Sequence, residues 1–381
     1  MVSALHEEAV LGLYLHIPFC ESICNYCNFN RGLFDAGVKN RYVDALVLEV
    51  VGIGDGEAVD TVYFGGGTPS LLEPAEVDRL LGACREAFSF SSSAEVTLEV
   101  NPESASSRRL SGWREAGVNR LSFGVQSFSD VELKSLDRRH SAKRARDAVG
   151  TARAEGYDAI SLDLMLWLPG QTSIHCRHSV KSLLELEPDH ASFYLLELYP
   201  NAPLRENMAR SEVSLAPEED AVQMYLETLE MTDVAGYEQY EISNVSKPGQ
   251  RCRHNLKYWT DGEWLGFGCG AHSTRGGSRW SNISETDRYI ENVTSGQEVV
   301  LSQRGLSDDE RLGDALFMGL RLTEGLDLRL VEQRYGISVM EKYGAALAPF
   351  IEKKRLLWES GRLRLTREGM LIANDIMEAF V

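Results

Sequence analysis

Three cysteines stand close together in Cys20-Glu-Ser-Ile-Cys24-Asn-Tyr-Cys27, a C-x3-C-x2-C run. Thiolates are soft ligands, and several on one loop suit an iron–sulfur cluster or a structural zinc ion. A four-iron cube normally takes four cysteines. Three from one loop hold three irons and leave the fourth with an open position, which separates a reactive metal centre from a sealed one. A zinc site would need His16 or a distant cysteine as fourth ligand. The other cysteines, Cys84, Cys176, Cys252 and Cys269, are scattered, and the total of 7 is odd. A secreted disulfide scaffold would be shorter and denser in cysteine. The expectation is metal binding in a reducing compartment, the cytoplasm.

Composition narrows the partners. The chain has 381 residues, with 43% hydrophobic and 25% charged, as in a packed globular protein. Asp and Glu outnumber Lys and Arg by 57 to 39, a net charge of −18. That balance argues against nucleic acid, whose affinity comes from basic residues neutralising phosphates. No apolar run reaches the ~18 residues of a membrane-spanning helix. Residues Met1 to Leu15 include Glu7 and Glu8 and lack a basic start and apolar core, so they do not read as a signal peptide.

The cysteines must be positioned by the elements around them. Leu13–Ile17, Thr61–Phe64, Glu95–Val100, Arg120–Val125, Ile160–Leu168 and Ser192–Leu198 have the composition of short strands. Helical patterns cover Arg41–Val51, Ala75–Phe88, Ser106–Ala116, Ala142–Glu155, Ile174–Leu186 and Pro217–Val234, with Gly117, Gly156 and Gly236 at carboxyl-terminal caps. This alternation implies parallel strands joined by helical crossovers. Six units are too few for an eight-fold barrel, so the expected fold is α/β: an incomplete (β/α)6 TIM-like barrel over residues 1–245. Residues 246–300 read as a Gly/aromatic-rich connecting segment. Residues 301–381 read as a small, mainly helical, winged-helix-like domain, with helices at Asp308–Leu322, Asp327–Tyr335, Val339–Lys353 and Arg367–Phe380. It lacks a basic run, so packing or partner contact is expected of it rather than DNA binding.

In a parallel barrel, the site forms at the carboxyl ends of the strands. Candidate residues occupy those ends. Gly65-Gly66-Gly67-Thr68-Pro69 follows the second strand, Glu99 ends the third, Gln126 ends the fourth and Asp163 lies in the fifth. Each alone reads as a turn or a helix cap; their convergence beside the cysteine loop makes a site.

With Tyr26 before its third cysteine, the C-x3-C-x2-C run resembles the radical S-adenosylmethionine superfamily. The resemblance implies a [4Fe-4S] cluster on Cys20, Cys24 and Cys27, whose open iron chelates S-adenosylmethionine. Reductive cleavage of the sulfonium would then give a 5′-deoxyadenosyl radical. Tyr14-Leu-His16-Ile-Pro18-Phe-Cys20, Gly-Gly-Gly-Thr-Pro-Ser, Gly124-Val125-Gln126-Ser127-Phe128 and Leu168-Pro169-Gly170-Gln171-Thr172 are similar to the oxygen-independent coproporphyrinogen III oxidase branch. That likeness implies S-adenosylmethionine contacts from Tyr14, Tyr26, Gly66, Gly67, Thr68, Glu99, Gln126, Arg138 and Asp163.

Two features are similar instead to the heme chaperone family of that branch. Phe29 stands where the oxidase has a fourth cysteine, and little chain precedes Cys20. The family's His-Asn-x-x-Tyr-Trp signature is matched by His254-Asn255-Leu256-Lys257-Tyr258-Trp259. The likeness implies heme as cargo, held through His254, Asn255, Tyr258 and Trp259, with heme-accepting proteins as partners and an electron donor if the cluster is redox-active. Imidazole is a common axial ligand, although His254 would equally serve to anchor the Gly-rich loop near Gly270-Ala271-His272. Cys252 and Cys269 are alternative iron contacts or small buried thiols. Asn28 replaces a usually acidic residue, and Trp167 stands where a glycine usually precedes Leu-Pro-Gly. These departures keep open a radical enzyme acting on a porphyrin or small molecule by decarboxylation, methyl transfer or cyclopropanation. Coproporphyrinogen oxidation itself is not expected. The chain is read as a monomer or dimer, with peripheral membrane contact open.

Overall fold

Along the strand Leu11–Ile17 (β1), Leu11, Leu13, Leu15 and Ile17 are buried against helices, while Gly12, Tyr14 and His16 face the other way. The next five strands repeat this alternation: Ala58–Gly66 (β2), Ser89–Val100 (β3), Arg120–Gln126 (β4), Ala159–Leu166 (β5) and His190–Leu195 (β6). Parallel strands covered on both faces usually read as continuous apolar runs. Here one face carries Thr61, Tyr63, Thr97, Glu99, Arg120, Ser122, Ser161, Asp163, His190 and Ser192, because it lines a polar interior instead of a second hydrophobic layer. In this computed structural model, residues 10–200 and 202–380 are described. The stretch read above for a leader lies outside them up to residue 9.

The outer layer is helical: Ala36–Ile53 (α1), Pro74–Ala87 (α2), Ser107–Ala116 (α3), Ala142–Ala154 (α4), Ser173–Leu184 (α5) and Glu218–Val234 (α6). Local chemistry sets their starts. Asp35, Ser106, Ser141 and Thr172 each accept a hydrogen bond from a first-turn N–H. The Asp35 cap explains why α1 begins five residues before the expected Arg41. Tyr42, Leu46, Leu80, Trp113, Val149 and Val180 carry these helices onto the outward strand faces in one continuous core.

Glu238–Gln239 (β7) and Asn244–Ser246 (β8) extend the sheet beyond β6 in antiparallel fashion. The stretch 246–300, expected as a connector, instead belongs largely to the barrel unit. After the short helix Arg253–Trp259 (α7), Trp264–Phe267 (β9) pairs parallel with the free edge of β1. His272–Arg275 (β10), Ser278–Asn282 (β11) and Val300–Gly305 (β12) follow antiparallel. The result is a 12-stranded sheet in the order β12-β11-β10-β9-β1-β2-β3-β4-β5-β6-β8-β7, which does not close. Leu265, Phe267, Cys269, Tyr289 and Ile290 join the main core. Periodicity missed this addition because its strands are short and interrupted by glycine.

After Leu306 a second core forms around Leu312, Leu316, Val339, Leu347, Leu363 and Ile376. Helices Asp308–Gly319, Leu328–Tyr335 and Val339–Glu352 pack with a three-stranded antiparallel sheet whose central strand is Arg362–Leu365. The last expected helix is broken into Arg367–Met370, Ala373–Met377 and a terminal 3-10 turn. Ile372, at φ −121 and ψ 30, leaves the helical region at a point that no Pro or Gly announces.

One buried carboxylate ties α1 to the sheet extension. Glu49 accepts from Tyr289 Oη at 2.5 Å, Asn282 Nδ2 at 2.6 Å and the Gly268 N–H at 2.8 Å. Burial pushes its carboxyl above the ordinary range while those donors hold it down. Beside it, Tyr42 Oη donates to the His16 carbonyl at 2.7 Å and accepts from the Cys269 N–H at 3.0 Å. Glu49→Ala strands three buried donors and is expected to cost on the order of 3 kcal/mol. A lower midpoint in thermal unfolding followed by circular dichroism checks this; an unchanged midpoint refutes the brace.

Candidate metal centre and carboxyl rim

The three cysteines occupy the loop between β1 and α1, and the loop is pinned at both ends. Phe19–Cys20 pairs parallel with Gly32–Leu33. Gly32 N–H donates to the Pro18 carbonyl at 2.6 Å, and Phe34 N–H to the Cys20 carbonyl at 2.8 Å. Between them, Asn25 Nδ2 donates to Ser135 O at 2.8 Å, and the Asn25 carbonyl accepts from Leu204 N–H at 3.0 Å. Asn30 is the far knot. Its amide donates to the Cys269 and Ser284 carbonyls, both at 3.1 Å. Its own carbonyl accepts from His16 Nε2 at 2.8 Å. Arg31 donates to the Phe29 carbonyl at 3.0 Å and also to that of Cys27.

The environment of the sulfurs suits thiolate ligation. Thr68 Oγ1 lies 3.5 Å from Cys20 Sγ, and Arg138 Nη1 lies 3.6 Å from Cys24 Sγ. Both are donors aimed at sulfur, and Arg138 Nε is buried without a partner. All three cysteines are free. Among the described residues, no group of three or more His, Cys, Asp or Glu side chains stands at the spacing of a single metal ion. His16 is no fourth ligand: Nε2 is given to Asn30, and Nδ1 accepts from Tyr14 Oη at 3.1 Å. The donor set fits a cluster held by Cys20, Cys24 and Cys27, with Thr68 and Arg138 directed at the sulfurs and His16 already spent elsewhere.

The expected rim residues do converge beside this loop. Gly66 adopts φ 116, a left-handed backbone, and a Cβ there would sit 2.7 Å from the His16 ring. At Gly67 a Cβ would meet Cys20 Sγ at 3.0 Å. The glycine run thus makes room for the protein's own first strand and cysteine loop. Arg138 Nη2 donates to Asn101 Oδ1 at 2.8 Å and to the Gly124 carbonyl at 2.7 Å, tying β3, β4 and the cysteine loop together. Tyr26 packs into a small cluster with Leu136, Met165, Leu168, Leu196 and Leu204 at the same end of the barrel. Gln126 and Trp167, at the ends of adjacent strands, both hold left-handed backbone, with φ 67 and φ 61. For a tryptophan that conformation is strained. Its indole N–H donates to Ala216 O at 2.8 Å and anchors the segment after the helix Pro203–Ser211.

Two carboxylates face the interior below the rim. Burial pushes Glu99 up to about 7, offset by a hydrogen bond from Tyr63 and raised further by the charge of Asp163. Burial likewise raises Asp163 to about 6, against hydrogen bonds from Ser192 and Ser122.

The His-Asn-x-x-Tyr-Trp segment does not lie on this rim. It forms α7, at the amino-terminal end of the strands, where Glu95 accepts from the Arg253 and His254 N–H groups at 3.2 and 3.0 Å. His254 is 1% exposed, which leaves no surface for a macrocycle. Its Nδ1 is 2.9 Å from Thr61 Oγ1 and its Nε2 is 2.9 Å from Tyr258 Oη. In this structure both ring nitrogens of His254 are engaged, so the imidazole is not free to ligate heme iron as it stands, and the geometry is that of an anchor. The anchor is the barrel floor, not the Gly270 turn. Asn255 is half-buried on the same helix, and Trp259 lies under the Arg321 guanidinium, 4.4 Å from its ring. Cys252 and Cys269 are buried thiols; Cys252 approaches Glu95 Oε1 at 3.6 Å, and burial pushes its thiol up to about 12.

Sequence reading missed Asn101, Ser122, Ser192 and Tyr63, which hold the rim and interior carboxylates. The signal was present in the polar alternate positions of each strand.

The sequence model described as "Radical SAM superfamily" matches residues 14–183, spanning β1 almost to the end of α5, and the "HemN C-terminal domain" matches residues 306–372. With the cysteine loop on its carboxyl rim, the barrel is that of a radical S-adenosylmethionine protein with a [4Fe-4S] cluster. The chain is 34% identical to the heme chaperone HemW of Bacillus subtilis, over 97% of this chain and 98% of that one. It is 35% identical to the HemW of Mycobacterium tuberculosis, over 97% and 94%. The solved coproporphyrinogen III oxidase (HemN) of Escherichia coli, a radical SAM enzyme, superposes with a TM-score of 0.87 at 25% identity, covering 98% of this chain and 90% of that one. The chain belongs to the HemW heme chaperone family.

Glu99 is the group whose titration reports the rim. With its carboxyl raised to about 7 in the fold, the neutral form is favoured there. Its contribution to stability is full below the ordinary carboxyl range and is lost as pH rises through about 7. An ionised carboxylate is the stronger acceptor for hydroxyls, so the expected ribose contact of Glu99 predicts that S-adenosylmethionine affinity falls as pH drops through the same range. Glu99→Gln should weaken binding about 10-fold at pH 8 and flatten that pH dependence, measured by equilibrium dialysis of the reconstituted protein. A slope retained in the variant assigns the titration to another group.

Proposed function

We propose that this protein is a cytoplasmic heme chaperone that binds one [4Fe-4S] cluster, S-adenosylmethionine and heme, and delivers the heme to acceptor proteins. Full-length identity to curated heme chaperones carries this reading, and the site supports it. Cys20, Cys24 and Cys27 hold the cluster, with Thr68 and Arg138 directed at the sulfurs. Tyr14, Tyr26, Gly66, Gly67 and Gln126 border the cofactor. Glu99 and Asp163 receive its hydroxyls from below. The chemistry that cluster and cofactor supply when bound is one-electron cleavage of the sulfonium bond, for which an electron donor is needed.

Phe29, 64% exposed at the surface of the cysteine loop, has no thiol, so that position adds no fourth thiolate. Heme ligation through His254 would require breaking its bond to Thr61 or Tyr258, which makes uptake at that motif a step that opens α7. Among the described residues, no helix is long and apolar enough to cross a membrane. Delivery to acceptors at a membrane would use peripheral contact, by a monomer or dimer.

Purified without oxygen and reconstituted, the protein should carry about four irons and four sulfides per chain. Cys24→Ala should abolish them. Heme loaded onto the wild-type protein should pass to an apo heme protein, followed by the acceptor's absorption spectrum. Turnover of coproporphyrinogen III to protoporphyrinogen IX at enzymatic rates would overturn the chaperone reading in favour of a catalytic one.

A further inference from the structure

We propose that Tyr63 and His254 are positioning residues for the S-adenosylmethionine site: α7 holds the Tyr63 ring, and Tyr63 fixes the Glu99 carboxylate that receives the ribose. The inference rests on the reading of Glu99 as a cofactor contact.

Strand register sets the level of each side chain. Tyr63 stands opposite Tyr14 on β1 and Thr97 on β3, on the inward face, one alternate position short of Glu99's level. Its hydroxyl donates to Glu99 Oε1 at 2.8 Å, and no other side chain among the described residues is hydrogen-bonded to that carboxylate. Oε1 is thereby committed, and the Gly66 N–H is the backbone donor that also acts on the carboxylate. A phenol can hold a carboxylate in place only if its ring cannot swing. The Tyr63 ring lies nearly parallel to that of Tyr14, at 6.2 Å and 18°, and to that of His254, at 5.2 Å and 26°.

His254 is in turn immobile. Thr61 and Tyr258 hold its two nitrogens, and the Tyr258 ring meets it edge-on at 5.3 Å. Asp60 pins the helix from outside, pairing with Arg253 at 2.9 Å and Lys257 at 2.7 Å. Burial pushes the imidazole down to about 3, so the stacked ring is neutral. A chain of contacts thus runs from the amino-terminal floor through His254 and Tyr63 to the interior carboxylate. The groups facing Glu99 are Tyr63 and the Gly66 N–H from β2, Asp163 from β5, Tyr14 from β1, Tyr194 from β6 and Tyr258 from α7.

The test measures S-adenosylmethionine affinity against pH in the reconstituted full-length protein. Tyr63→Phe keeps the stacked ring and removes only the donor. It should weaken binding about 5–10-fold and move the acid limb of the profile to higher pH, because a carboxylate that loses a donor binds its proton more tightly. Iron content should stay at the wild-type value. His254→Ala should weaken binding in the same direction, and His254→Phe, which restores a ring face without a ligating nitrogen, should recover most of the loss. Wild-type affinity and profile in Tyr63→Phe overturn the inference. So does a His254→Ala variant that alters the heme spectrum while leaving S-adenosylmethionine affinity untouched. A wild-type protein that binds no S-adenosylmethionine overturns the site reading itself.

Discussion

A short loop with almost no secondary structure of its own has to hold three cysteines in fixed relation to a barrel mouth. Its pairing of Phe19–Cys20 with Gly32–Leu33 is only two residues long, so the loop cannot be rigid alone. Rigidity is imported. His16 from β1 takes the Asn30 carbonyl, Cys269 and Ser284 from the sheet extension take the Asn30 amide, and Ser135 and Leu204 from the opposite side take Asn25. Arg138 joins the loop to β3 and β4. Buried polar groups of this kind are costly if left unpaired and directional when paired, which gives the loop one conformation.

The same need explains the extension of the sheet past β1. An incomplete barrel leaves the β1 edge unpaired, and β9 fills it. The turn after β9 brings Gly268, Cys269 and Gly270 under the cysteine loop, where a Cβ at residue 270 would collide with Asn30 at 2.4 Å. Glu49 and Tyr42 bind that turn to α1. The edge is thus protected and the loop supported by the same residues.

The barrel interior is polar because its open mouth receives a charged, hydroxyl-rich nucleotide rather than side chains from a closing strand. Its floor is sealed by α7 and by the His190 ring, which bridges Ser161 at 2.8 Å and Tyr240 at 2.7 Å. The carboxyl-terminal domain docks on that floor. Arg321 pairs with the buried Glu241 at 2.9 Å and covers Trp259, while Tyr335 donates to Asp261 at 2.5 Å. Breaking a buried pair such as Glu241–Arg321 leaves an uncompensated charge, so the domain's position is coupled to the integrity of the floor.

Read alone, the amino-acid sequence determined the chemistry and most of the scaffold. Thiol spacing is a local property, so Cys20, Cys24 and Cys27 were legible, and so were the six strand–helix units, whose periodicity and caps are also local. Glu99, Gln126 and Asp163 were expected together because strand ends in a parallel barrel share one rim. Tertiary structure alone decided the rest. Where α7 inserts, which nitrogens His254 spends on Thr61 and Tyr258, and that the Tyr63 ring meets both Tyr14 and His254 all depend on contacts between residues up to 193 positions apart. A motif states which groups are available; only packing states whether their lone pairs and ring faces are already occupied.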